Sequence, residues 1–171
     1  AGLYEAAVQR GLIEAEVATA EQDTIRFQTG YDGVEDSGLV IEAVFEDMKT
    51  KQDVMKALDL AAPDAVLASN TSYLDIDLMA ACLADPSRLV GLHFFSPAHI
   101  MKLLEIVRGA ATSDRSLATG YALAKRLRKI PVEVGVCDGF VGNRMLQRVR
   151  EAAELPVSYT HLRAHETAYH R

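Results

Sequence analysis

The sequence predicts an α/β protein built on an open sheet with parallel strands at its heart. Three observations carry this. Short apolar runs alternate with amphipathic segments along most of the chain, as strands and helices do in doubly wound folds. The connections between them are short. The run Leu39-Val40-Ile41-Glu42-Ala43-Val44-Phe45 is nearly continuous in its apolar character, the signature of a strand covered on both faces.

Taken in order, Tyr4 to Ile25 is rich in Ala, Glu and Gln and reads as helix, broken near Gly11. Arg26 to Gly30 reads as a short strand, and Leu39 to Phe45 as the first strong one. Asp47 can cap the helix that follows. Val54, Leu58 and Ala61, backed by Met55 and Ala62, give that helix its buried stripe, and Pro63-Asp64 ends it. Ala65 to Ser69 is the next strand. Asn70-Thr71-Ser72 forms a polar turn, and a helix then carries Ile76, Met79, Ala80 and Leu83 to Pro86. Leu89 to Phe94 is a third strand and Leu103 to Val107 a fourth. Ser113 or Asp114 opens a helix with Leu117, Tyr121 and Ala124 facing inward. Its basic end, Lys125, Arg126, Arg128 and Lys129, suits the helix dipole and reads as structural. Pro131 to Val136 is a fifth strand, and a last helix runs from about Val141 to Glu154.

Composition narrows the function classes. The chain has 171 residues, enough for one domain with a substantial core. A net charge of −6 argues against wholesale attraction to nucleic acid or an anionic membrane, though it leaves room for a local basic pocket. No apolar run approaches the ~18 residues of a membrane span, and no secretory signal is visible. Cys82 and Cys137 lack metal-type spacing. They read as reduced, buried thiols, and a reducing cytoplasmic setting is the expectation. His161 and His165 stand four apart beside Glu166, but the order is not His-Glu-x-x-His, so no metal site is expected.

In open α/β sheets ligands bind at the carboxyl ends of the strands. Glu46, Asn70-Thr71-Ser72 and His93 all fall at such ends. His93 closes an apolar strand in Leu92-His93-Phe94-Phe95-Ser96-Pro97-Ala98, and Glu105 interrupts the next strand twelve residues on, in Met101-Lys102-Leu103-Leu104-Glu105. A carboxylate beside an imidazole fixes its tautomer and stabilises the imidazolium, so such a pair can take a proton from an alcohol. The alternatives are a satisfied core histidine and a solvent-facing Glu on an edge strand, and spacing alone leaves both open. Asn70-Thr71-Ser72 is either a ligand-facing turn or a simple helix cap. The glycines of Asp138-Gly139-Phe140-Val141-Gly142-Asn143-Arg144 either serve only the turn or bring Asn143 to a ligand.

Five blocks together, Leu39 to Asp47, Leu67 to Ser72, Gly91 to Ala98, Met101 to Gly109 and Cys137 to Leu146, resemble the NAD-binding domain of L-3-hydroxyacyl-CoA dehydrogenase, most closely the bacterial multifunctional fatty-acid oxidation type. The resemblance covers roughly Gly11 to Leu146 and implies a Rossmann-like, mainly parallel sheet with NAD as cofactor and an acyl-CoA substrate. It implies that His93 is the general base and that Glu105 pairs with it. Ser72 would contact both the substrate oxygen and the nicotinamide end of the cofactor, and Asn143 would bind near the reacting carbonyl. Val44, Phe45, Glu46, Lys51 and Ser96 match positions lining the cofactor. It further implies a homodimer or a place in a β-oxidation complex.

The family's opening strand, Gly-x-Gly-x-x-Gly turn and acidic second strand have no counterpart in this sequence, nor does its C-terminal helical domain. Residues 1–154 are therefore expected to be a partial Rossmann-type domain, truncated at the N-terminus. The isolated chain is expected to bind NADH poorly and turn over little. Ser158 to Thr167 does not resemble the family. It looks like a translated sequencing adapter, so 155–171 is set aside as a non-native tail. The alternatives are a related hydroxybutyryl-CoA or other hydroxyacid dehydrogenase, or an inactive fragment that only packs against partners.

Overall fold

The computed structural model describes residues 2–154. The expected tail, with His161 and His165, lies outside the described residues. Two compact units divide the chain, Ala1–Asp32 and Gly33–Arg171. The first holds helices α1 (Gly2–Gln9) and α2 (Ala15–Asp23), with Gly11 at a φ of 65° in the break between them, where the sequence places it.

The strand expected at Arg26 to Gly30 does not form. This stretch is mostly polar, the ring of Phe27 is exposed, and Gly30 and Gly33 take positive φ values that suit turns.

The second unit is the α/β sheet. Its strands are β1 (Leu39–Glu42), β2 (Val66–Ser69), β3 (Leu89–Phe94), β4 (Leu103–Arg108) and β5 (Ile130–Gly135), in spatial order β1-β2-β3-β4-β5. Pairs β1·β2, β2·β3 and β4·β5 are parallel, and β3·β4 is antiparallel. The sheet is thus open and mainly parallel, as the pattern predicts. β1 is shorter than its apolar run. Val44 is half-exposed and Phe45 is 86% exposed in the loop that leaves the strand. β1 lies at the sheet edge, so Ile41 is 40% exposed rather than covered on both faces.

The helices cross between strands where their caps direct them. Asp47 caps α3 (Met48–Ala61) by accepting from the Thr50 N–H at 2.8 Å. Asp75 caps the short α4 (Ile76–Ala80), which ends well before Pro86, the start of a 3₁₀ turn. Ser113 caps α5 (Asp114–Arg126). A final helix, α6, occupies 142–154 of the described residues. On α5, Leu117 and Ala124 turn inward as expected, but Tyr121 is 38% exposed and its hydroxyl donates to Glu133. Gly120 takes the buried place instead, because a Cβ there would crowd Leu92 and Ile106. Both cysteines are half-buried free thiols.

Two apolar layers sandwich the sheet. Met55, Leu58, Leu67, Ile76, Met79, Leu89, Val107 and Phe140 fill one face. Val66, Ala68, Val90, Leu92, Leu104, Ile106 and Leu117 fill the other. Strand alternation then fixes the site. Leu92 faces the α5 layer, so His93 faces the opposite one. Leu104 and Ile106 face α5, so Glu105 turns the same way as His93. Gly91, opposite Val107, must be glycine, since a Cβ would lie 2.6 Å from the valine Cβ. This tight contact lies two residues along the β3·β4 register from the His93–Glu105 pair.

Candidate active site

His93 and Glu105 are direct cross-strand partners in the β3·β4 register. The imidazole Nδ1 lies 2.7 Å from Glu105 Oε2, with His93 only 4% exposed and Glu105 buried. An ionised carboxylate only accepts, so Nδ1 carries the proton and donates, leaving the Nε2 lone pair outward. Among the described residues no buried side-chain nitrogen or oxygen lacks a partner. Nε2 has none among the described residues, so it retains access to solvent.

The carboxylate is fixed from its other side. Glu105 Oε1 accepts from the backbone N–H groups of Val141 at 3.0 Å and Gly142 at 2.8 Å, where α6 begins. Helix N-termini leave such donors unpaired and favour negative charge. Two aromatic rings complete the setting. Phe95 lies 4.5 Å and Phe140 5.7 Å from the imidazole, centroid to centroid. Phe140 is fully buried at a φ of 46°. For a bulky residue that left-handed backbone costs about 1–2 kcal/mol, which burial of the ring offsets. Gly142 lets Phe95 close in, since a Cβ there would stand 2.5 Å from the ring. Gly142→Ala should push Phe95 into the imidazole and lower kcat about tenfold, with a small loss of Tm. Steady-state kinetics beside a thermal melt checks this.

A second buried cluster lies under the ends of β1 and β2. Lys51 is 1% exposed, on the inward stripe of α3 with Met55 and Leu58. Its ammonium donates to Glu42 Oε1 at 2.7 Å and to the Val44 carbonyl at 3.2 Å, and pairs with Glu46 Oε2 at 3.3 Å. Glu42 also accepts from the Val44 N–H and, through Oε2, from the Ser69 hydroxyl. Breaking a buried pair strands the remaining charge, so Glu42→Ala should cost about 3 kcal/mol and lower Tm visibly. Loss of Glu42 and Lys51 together, as Glu42→Leu with Lys51→Met, should cost less than the single change.

Glu46 links this cluster to the next turn. Its Oε1 accepts from the Thr71 hydroxyl and from the N–H groups of Ser72 at 2.7 Å and Tyr73 at 3.1 Å. Burial raises the Glu46 pKa, but those hydrogen bonds and the Lys51 charge outweigh it, so the carboxyl stays below its ordinary value of 4.5. At neutral pH it is an anion that gathers three donors.

The structure therefore brings most of the sequence-predicted residues together. His93 meets Glu105, Glu46 meets Ser72, and the Ser72 carbonyl accepts from Asn143 Nδ2 at 3.4 Å. Lys51 is turned inward, its donors shared among Glu42, Glu46 and Val44, so it supports the rim from beneath. Phe45 projects into solvent, and Ser96 lies exposed in the loop after β3, joined to none of the others by a hydrogen bond. Glu42, Phe95 and Phe140 were not singled out from sequence, and Thr71 and Gly142 only as members of their turns. Glu42 carried a signal, since it interrupts an apolar strand just as Glu105 does. Lys51 sits four residues before Met55, so its inward direction was legible too.

An open α/β sheet with these polar groups gathered at the carboxyl ends of β1, β2 and β3 defines a Rossmann-type nucleotide-binding domain. The chain belongs to the 3-hydroxyacyl-CoA dehydrogenase, NAD binding domain family, which matches residues 1–137. It is 46% identical over 136 residues to the peroxisomal bifunctional enzyme of Danio rerio, covering 79% of this chain and 19% of that one. Among solved structures it is similar to M. tuberculosis FadB2, with a TM-score of 0.86 and 35% identity over 91% of this chain and 56% of that one. It is also similar to (S)-3-hydroxybutyryl-CoA dehydrogenase PaaH1 of Ralstonia eutropha, with a TM-score of 0.82 and 33% identity over 85% of this chain and 52% of that one. The chain spans about a fifth of the length of the curated relative and about half of the two solved ones.

NAD is accordingly the cofactor of the domain. The described residues leave polar groups for it at the carboxyl ends of the strands: Ser72 follows β2 and the exposed Ser96 follows β3, and their hydroxyls make no hydrogen bond among the described residues. Among the described residues no helix is long and apolar enough to cross a membrane, and no cluster of three or more His, Cys, Asp or Glu is placed to hold a metal ion.

Proposed function

We propose that this domain serves the NAD-dependent oxidation of an L-3-hydroxyacyl-CoA to the 3-ketoacyl-CoA, a step of fatty-acid β-oxidation. The observation that carries the reading is the buried His93–Glu105 pair, with Nδ1 committed to the carboxylate and Nε2 free to receive a proton. Oxidation of a secondary alcohol removes one proton from oxygen and one hydride from carbon. His93 Nε2 takes the proton, and Glu105 stabilises the imidazolium that forms. Bound NAD supplies the electron-poor nicotinamide carbon that accepts the hydride. Ser72 and Asn143 orient the reacting oxygen from the opposite side, their own positions tied by the Asn143–Ser72 hydrogen bond. Val44, Phe45, Glu46 and Ser96 line the cofactor side of the rim, with Lys51 beneath them.

The likeness to a hydroxybutyryl-CoA enzyme favours short acyl chains as a second reading within the same chemistry. A homodimer, or a place in a larger β-oxidation assembly, is the proposed context. It draws support from the bifunctional relative. The test is NADH formation by the full-length gene product on L-3-hydroxyacyl-CoA substrates of graded chain length, against the matching free 3-hydroxy acids. Turnover confined to the thioesters supports the reading. Equal or better turnover of the free acids overturns it in favour of a hydroxyacid dehydrogenase.

A further inference from the structure

We infer that Thr71 is a positioning residue whose hydroxyl, fixed between Glu46 and the N–H of Leu74, sets where Ser72 stands against Asn143. This deepens the proposed function and rests on it. Thr71 is 1% exposed and touches the reacting groups only through its neighbour. Its hydroxyl makes three bonds of fixed polarity. Glu46 Oε1 only accepts, so the O–H points there, and the lone pairs on the far side accept from the Leu74 N–H at 2.9 Å and the Tyr73 N–H at 3.4 Å. The Thr71 N–H donates to the Ser69 hydroxyl at 3.3 Å, and that hydroxyl donates to Glu42. The residue is thus held at both backbone and side chain by the buried charge cluster.

Ser72 inherits its place from this. Its own N–H and that of Tyr73 end on the same Glu46 oxygen as the Thr71 hydroxyl. Its carbonyl takes the Asn143 amide that crosses from α6. Thr71 is therefore the joint through which the β1 loop, the β2 turn and the start of α6 are brought into one arrangement. A plain turn-capping role would account for the Leu74 and Tyr73 bonds alone. It would not require the hydroxyl to share a carboxylate oxygen with the two N–H groups flanking the Ser72 peptide.

The experiment compares Thr71→Val and Thr71→Ser with wild type in the full-length gene product, with Thr71→Ala standing in should the valine variant not fold. Two readouts are needed. The first is amide hydrogen exchange at Ser72, Tyr73 and Leu74, which requires no activity. Loss of the hydroxyl should speed exchange there at least about tenfold, and serine should restore it. The second is steady-state kinetics below the melting temperature. Thr71→Val should lower kcat about tenfold with a smaller change in KM for the cofactor, and Thr71→Ser should return kcat to within about twofold of wild type. Unchanged exchange overturns the inference. So does faster exchange with wild-type kcat, which leaves Thr71 a cap only, or a kcat loss that serine fails to rescue. A wild-type protein with no dehydrogenase activity would count against the proposed function, while the exchange comparison would still decide whether Thr71 sets the turn.

Discussion

Replacing His93 with alanine in the full-length gene product should lower kcat by about 10³-fold or more while leaving NADH affinity within about threefold of wild type. The asymmetry follows from geometry. The imidazole is buried on the sheet face, held by Glu105 and two rings, and offers only Nε2 to the rim. Its proposed task is that of the general base, and a positioned general base is worth roughly 10²–10⁴ in rate. The rest of the rim, from Val44 to Glu46 and Ser72, is built on Lys51 and Glu42 and does not lean on His93. The check is stopped-flow or steady-state turnover beside a fluorescence titration with NADH. A parallel fall in affinity and turnover would mean that the variant has collapsed the site rather than removed a base. Glutamine at the same position keeps polarity and some volume, and should show the same turnover loss.

Glu105→Gln should be nearly as damaging, by about 10²–10⁴-fold in kcat, though it changes only one atom. One carboxylate oxygen accepts from the His93 Nδ1–H and the other from the Val141 and Gly142 N–H groups. An amide cannot do both. With its oxygen toward His93, its NH₂ faces two backbone donors. With its oxygen toward α6, the NH₂ donates to Nδ1, and the ring proton moves to Nε2, where the base must be free. The second arrangement satisfies more donors, so the glutamine variant should hold the wrong tautomer. Its melting temperature should fall only modestly. Glu105→Ala, which leaves the helix start and the imidazole both without an acceptor, should be less stable than Glu105→Gln. A glutamine variant with a wild-type rate and an unaltered pH–rate profile would remove Glu105 from the chemistry.

Most of the fold was legible because its signals are local. Apolar runs with sharp polar ends placed β2 and β3 within a residue, and Asp47 and Ser113 announced α3 and α5. Where the reading failed, a neighbour decided. Leu39 to Phe45 reads as one long covered strand, but pairing with β2 stops at Glu42, and the chain then turns out to build the rim. Tyr121 has the spacing of a core residue, yet Gly120 lets Leu92 and Ile106 pack against α5, and the tyrosine reaches Glu133 instead.

The site was legible at the same grain. A His and a Glu, each breaking an apolar strand, could be seen in the sequence, and an antiparallel return between them was needed to make them meet. The supporting set could not be read in this way. Phe140 counts as a site residue only because a left-handed turn aims its ring at the imidazole. Gly142 counts only because Phe95 occupies the space that its side chain would need. These are facts of packing between segments far apart in the chain, which no single window contains.

Glu105 holds the proton of neutral His93 on Nδ1 and so keeps Nε2 available. Nitrogen NMR of histidine-labelled full-length gene product, with the His93 signals identified by their loss in His93→Gln, reads this directly. The neutral ring should show a protonated Nδ1 and an unprotonated Nε2. In Glu105→Gln the proton should move to Nε2. A neutral His93 carrying its proton on Nε2 in the wild-type protein would contradict this tautomer assignment.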